Sequence, residues 1–128
     1  MFDRIETLRM AASLTAHAGE RQKLIAQNVA NADTPGFRSR DLGRFADTYR
    51  SAAAVTLRAT RPAHLTGAGW GGSERARDVG GEPAPNGNTV SIEDEMLRAA
   101  DARREFDLSI AVTRSALSMI RTSLGRRA

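Results

Sequence analysis

The chain has no cysteine among its 128 residues, which excludes disulfide frameworks, zinc–thiolate sites and thiol nucleophiles. Aromatics are scarce at 5%, confined to Phe2, Phe37, Phe45, Tyr49, Trp70 and Phe106, so large rings to anchor a globular core are few and a thin core is expected. No apolar run approaches the roughly 20 residues a bilayer span requires. With 27% charged residues and a mean hydropathy of -0.41, no transmembrane helix is expected. The first ten residues carry Asp3, Arg4, Glu6 and Arg9 instead of the apolar stretch of a secretory signal, so a cleaved leader is not expected either.

Catalytic and ligand-binding chemistry is equally short of residues. His17 and His64 are the only histidines, and neither has a second ligand three or four positions on, so no metal site is expected. No G-x-S-x-G elbow offers a serine nucleophile. Gly67, Gly69 and Gly72 satisfy the letters of a dinucleotide-binding loop, but no buried strand precedes them and no helix follows; the segment reads as a flexible loop, with no cofactor expected. Length leaves room for one small unit, and the chain is not expected to be an enzyme.

The net charge of +4 and pI near 10.9 invite a nucleic-acid reading. Its distribution argues against one: residues 1–31 hold four basic and three acidic side chains, 32–91 hold eight and six, and 92–128 hold seven and six. Carboxylates interleaved this evenly cancel the field that phosphate binding needs. Lys23 is the sole lysine beside 18 arginines, and arginine, which does not deprotonate, inflates the pI.

What the sequence does hold is helix. Residues 4–31 contain no proline, one glycine (Gly19), and apolar side chains at helical spacing, among them Leu8, Leu14, Ile25 and Val29. The many alanines on this stripe suit close approach of a second helix. That second helix is predicted over about 92–124: Ser91 as N-cap, Glu93, Asp94 and Glu95 in the first turn, and Arg121 with Gly125 at the far end. Within it Met96, Ala99, Arg103, Phe106, Ile110, Thr113, Leu117, Ile120 and Leu124 alternate by three and four, the pattern of a coiled-coil seam. At 1.5 Å per residue the two helices are about 40 and 50 Å long and can lie side by side. Between them residues 65–88 hold seven glycines and two prolines. Leu42, Phe45, Ala46 and Tyr49 suggest a short helix, and Val55 and Leu57 a short strand. The expected fold is therefore mainly α, with long terminal helices paired in a coiled-coil-like bundle around an irregular middle. One structural unit is divided as 1–37, 38–90 and 91–128.

The first helix ends in Asn28-Val29-Ala30-Asn31-Ala32-Asp33-Thr34-Pro35-Gly36-Phe37. Pro35 forbids continuation, and Pro35 and Gly36 occupy the central positions of an expected type II turn from Thr34 to Phe37, glycine taking the positive φ. Asn28 and Asn31 lie on one helix face, their amides able to serve a neighbouring chain or the last helical carbonyls.

These ten residues resemble the signature shared by axial proteins of the bacterial flagellum, the rod, hook and hook-associated proteins. Arg40-Asp41-Leu42, Pro62-Ala63-His64-Leu65 and the run Gly87 to Met96 look most like the basal-body rod members at the proximal end. The resemblance implies a structural subunit of the proximal rod that polymerises through its terminal helices and transmits torque from the membrane ring toward the distal rod and hook. It marks Asn28, Asn31, Thr34, Pro35, Gly36 and Phe37 as an assembly motif. Leu8, Leu14, Ile25, Val29, Met96, Phe106, Ile110, Leu117, Ile120 and Leu124 are the expected packing residues, against each other and against neighbouring subunits. Implied partners are further copies, neighbouring rod proteins, ring or rod-adaptor proteins at the base, and the flagellar type III exporter. No nucleic acid and no direct membrane span are implied. The location implied is the periplasm-spanning rod, reached without a cleaved signal. The rival reading is a soluble helical-hairpin adaptor or export chaperone that holds a partner helix.

Overall fold

The computed structural model describes residues 2–53 and 75–125. Helix α1 runs Phe2–Ala30, strand β1 is Arg40–Asp41, helix α2 is Phe45–Ala53, strand β2 is Arg77–Asp78 and helix α3 is Ile92–Leu124. The molecule is mainly helical: α1 and α3 pack together, and β1 pairs with β2 in a two-stranded antiparallel ribbon, Arg40 opposite Asp78 and Asp41 opposite Arg77. The expected short helix around Phe45 is α2. The ribbon carries no apolar alternation and was not legible as strand. The possible strand at Val55 and Leu57, the glycine loop at 67–72 and His64 lie outside the described residues.

The start of α3 is built as its sequence predicts. Ser91 is extended, at φ -105° and ψ 119°, and its Oγ accepts from the Asp94 N–H. Its far end differs in detail: Gly125 stays right-handed at φ -80° and donates its N–H to Arg121 O, so the helix stops without a left-handed glycine cap. The turn after α1 matches expectation, with Gly36 at φ 71° and the Phe37 N–H donating to Thr34 O at 3.2 Å.

The helices run antiparallel, since Thr15 meets Ser109 while Arg21, further along α1, meets Glu105, earlier on α3. On each helix a buried row recurs every seven residues, Ala11, Ala18 and Ile25 on α1 and Glu95, Ala102, Ser109 and Ala116 on α3, and α1 also buries Ser13, His17 and Asn28. Small side chains let the axes approach closely, the reason so little aliphatic volume suffices. Among the described residues the largest fully buried side chains are Glu95, Asn28, Ser39 and Ser109, so the centre is polar as well as thin.

This corrects the register of the pairing inside the chain. The α3 seam facing α1 runs through Glu95, Ala102, Ser109 and Ala116, one position before the larger residues at Met96, Arg103, Ile110 and Leu117. One residue turns a helix by about 100°. The more strongly hydrophobic row therefore lies on the flank: Phe106, Ile110 and Ile120 are half-buried, whereas Met96, Leu117 and Leu124 are 69%, 44% and 73% exposed. On α1 Ile25 is buried, Leu8 and Leu14 are half-buried, and Val29 is exposed. Periodicity finds a seam, but small and polar residues occupy the row that faces α1.

Candidate assembly site

The Asn28 to Phe37 motif sits where the end of α1, β1, the segment before α3 and the first turn of α3 converge. Asn28 is buried, and its amide treats β1 as a neighbouring strand would: Nδ2 donates to Arg40 O at 2.8 Å and Oδ1 accepts from the Arg40 N–H at 3.1 Å. Nδ2 also reaches Ser39 Oγ at 3.2 Å. Asn31 turns inward on its own helix, donating to Gln27 O at 2.8 Å and accepting from Thr34 Oγ1 at 3.2 Å. Thr34, Pro35 and Gly36 are exposed and Phe37 is half-buried.

The turn that follows α1 is fastened from outside the motif. Asn88 Nδ2 lies 2.9, 2.7 and 2.8 Å from the carbonyls of Asn31, Ala32 and Thr34, and its Oδ1 accepts from the Val90 N–H at 2.7 Å. One buried amide thus gathers three carbonyls of the turn that follows Ala30, the last residue of α1. Asn88 is aimed by a second tight turn in which the Gly87 N–H donates to Ala84 O at 2.7 Å, Pro85 sets the bend and Gly87 takes φ 79°. The two turns are stitched by Gly36 N–H to Asn86 O at 3.0 Å and Thr89 N–H to Phe37 O at 3.0 Å. Gly81 backs onto this stitch so closely that a Cβ there would lie 2.6 Å from Thr89 O.

Below the turns lies a buried polar knot. Ser39 takes its backbone N–H to Thr89 Oγ1 at 2.9 Å and its hydroxyl proton to Glu95 Oε1 at 2.7 Å, while Arg98 donates to Ser39 Oγ at 3.0 Å and also to Glu95. Glu95 has no exposed surface, unlike Glu93 and Asp94 in the same helical turn. A second cluster follows along the seam. Arg21 forks onto Asp41 at 3.1 and 2.9 Å and reaches Glu105 at 3.1 Å. Hydrogen bonding to Asp41 leads the effects that raise the Arg21 pKa above its already high ordinary value, outweighing burial. His17 is buried; its Nε2 donates to Gly43 O at 3.1 Å and its ring meets Phe45 edge-on at 5.6 Å.

The sequence motif therefore supplies half of the site. Ser39, Asn88, Thr89, Glu95 and the Arg21–Asp41 pair complete it. Periodicity carries no sign of them, because Glu95 reads as one more first-turn acid and Asn88 as a turn residue. Among the described residues no His, Cys, Asp or Glu group is arranged to hold a metal ion.

Comparison with known proteins decides what this arrangement belongs to. Residues 8–38, most of α1 together with the turn, match the family model described as flagella basal body rod protein. The chain is 30% identical over 130 residues to the flagellar basal body rod protein FlgB of Salmonella typhimurium, covering 91% of this chain and 92% of that protein. The chain belongs to the FlgB family of flagellar basal body rod proteins. FlgB of Cereibacter sphaeroides is 30% identical over 106 residues, 81% of this chain and 82% of its own, and that of Agrobacterium fabrum is 28% identical over 119 residues, 87% of each. FlgB proteins are structural components of the basal body rod, not enzymes. Among the described residues no helix is long and apolar enough to cross a membrane.

Proposed function

We propose that this FlgB-family chain is a subunit of the proximal rod that polymerises through its terminal helices and carries torque from the membrane ring toward the distal rod and hook. The observation that supports this reading best is the division of labour on α3. Its small and polar face closes on α1, and the neighbouring row that includes Met96, Leu117 and Leu124 is left exposed on the flank. Apolar side chains repeated every seven residues along a stiff helix are a surface for further helices, and stacking along a lattice multiplies a weak contact. In this reading Leu8, Leu14, Ile25, Phe106, Ile110 and Ile120 serve both the hairpin and the lattice. Val29 with Met96, Leu117 and Leu124 serves neighbouring copies. Thr34, Pro35, Gly36 and Phe37, held by Asn28 and Asn31, present the assembly turn. Its partners are other copies, adjoining rod proteins, a ring or adaptor protein at the base and the type III exporter, which would pass the chain unfolded and uncleaved into the periplasm-spanning rod.

The test replaces Leu117→Glu with Leu124→Glu in cells whose only copy is the variant. Swimming is expected to cease, while the purified chain keeps its helix content and changes stability by no more than about 0.5 kcal/mol, as surface substitutions usually do. Normal swimming with the double variant would remove the lattice role of this face and favour the hairpin-adaptor reading.

A further inference from the structure

The seam between α1 and α3 raises a problem that its own geometry answers. Ala11 and Ala18 on one helix, and Ala102, Ser109 and Ala116 on the other, repeat every seven residues. Sliding one helix along the other by seven residues, about 10 Å, brings small side chains opposite small side chains again along the row, Ile25 being its one large member. Apolar packing alone has little to distinguish the alignments.

Polar rungs do distinguish them. Thr15 Oγ1 donates to Ser109 Oγ at 2.8 Å, and Ser109 passes its own proton to Phe106 O at 2.6 Å. Arg21 reaches Glu105, and Ser39 ties Glu95 to the end of α1 through Asn28. A slide of seven in either direction puts Thr15 opposite Ala102 or Ala116, so its hydroxyl keeps only the Ala11 carbonyl of its own helix, 2.9 Å away, and the contact across the seam is lost. The same slides leave Arg21 its Asp41 partner but take Glu105 away, putting Arg21 opposite Val112, or opposite Arg98, a like charge. We propose that the two rungs inside the seam, Thr15–Ser109 and Arg21–Glu105, are a register lock, selecting one of several heptad-related alignments of α1 and α3 that the small residues would otherwise accept. Buried polar groups choosing register at some expense of stability is an attested device in paired helices.

The absence of cysteine makes the proposal directly testable in the full chain. Thr15→Cys is combined in turn with Ser109→Cys, Ala102→Cys or Ala116→Cys, and disulfide yield is read after mild oxidation. With the rungs at Arg21 and Glu105 intact, only the 15/109 pair is expected to close. With Arg21→Met, Asp41→Asn and Glu105→Met added, helix content is expected to persist, and the 15/102 or 15/116 pair to reach about a tenth of the 15/109 yield, a minor state of ordinary size. Closure of 15/109 alone in the substituted chain would overturn the proposal, leaving the Asn88 and Glu95 contacts to set register. Loss of all three disulfides together with helix content would also overturn it, because the rungs would then be supplying stability instead of choice.

Discussion

Two glycines separate what a residue does for the chain from what it does for the fold. Gly19 lies inside α1 with nothing beyond its chain neighbours and its own helix backbone within 4 Å of where a Cβ would stand, so it weakens the helix and relieves nothing. Gly19→Ala is expected to stabilise the protein by about 1 kcal/mol through helix propensity. Gly81→Ala pushes a Cβ against the Thr89 carbonyl at 2.6 Å, and neither partner is the movable end of a side chain. It is expected to destabilise by about 1–3 kcal/mol, the range for forcing a backbone shift in packed structure. Urea denaturation of both variants reads the contrast, and equal effects would mean that the stitch between the two turns contributes nothing. Legibility divides the same way. Gly19 could be priced from the sequence, whereas Gly81 looked like one of several loop glycines until Thr89 was placed beside it.

The elements differ in how much of their own existence they determine. Helices α1 and α3 were visible from spacing, caps and the proline stop, because those signals act within one or two turns. The ribbon depends on partners remote in sequence: β1 is held by the Asn28 amide and by Arg21, and β2 by the Val79 N–H donating to Ser39 O at 3.0 Å. At its tip Asp78 accepts from the Gly80 N–H and from Arg38, both at 2.9 Å. The Gly80 hydrogen bond, then Arg38, hold its carboxyl below the ordinary value of 3.8. A depressed acid stabilises the fold above its ordinary pKa and ceases to as pH falls through the lower folded value. The ribbon is therefore expected to loosen in the window below pH 3.8, seen as faster exchange of the Gly80 amide, and Asp78→Asn is expected to abolish that dependence. An Asp78→Asn chain with the same acid profile would show that another group titrates.

At the scale of the whole molecule, the long-range hydrogen bonds among the described residues gather toward one end. The convergence of both turns, the ribbon and the Ser39–Glu95 knot ties the end of α1 to the start of α3, while the opposite ends of the hairpin meet over alanine and serine. In the free chain, amide protection is expected to be highest over residues 25–41 and 88–102 and to fall toward residues 2–12 and 114–124; in isolated basal bodies both helices should be protected throughout. Uniform protection of the free hairpin would indicate a fold complete without neighbours. Failure of protection to rise in basal bodies would remove assembly from the account.

From the sequence alone came the two terminal helices, the turn at Pro35 and Gly36, the thinness of the core and the resemblance to flagellar rod proteins, all of which rest on local chemistry or on contiguous residues. The tertiary structure decided which row of α3 faces α1, because a heptad pattern marks a stripe without saying which neighbour it meets. It also decided that Glu95, alone of three consecutive acids, is buried, that Asn88 fastens the turn after α1 from 57 positions further along the chain, and that Arg21 links three elements. Each of these is a pairing between distant residues, and the energy of such a pairing appears only when the chain has brought both partners together.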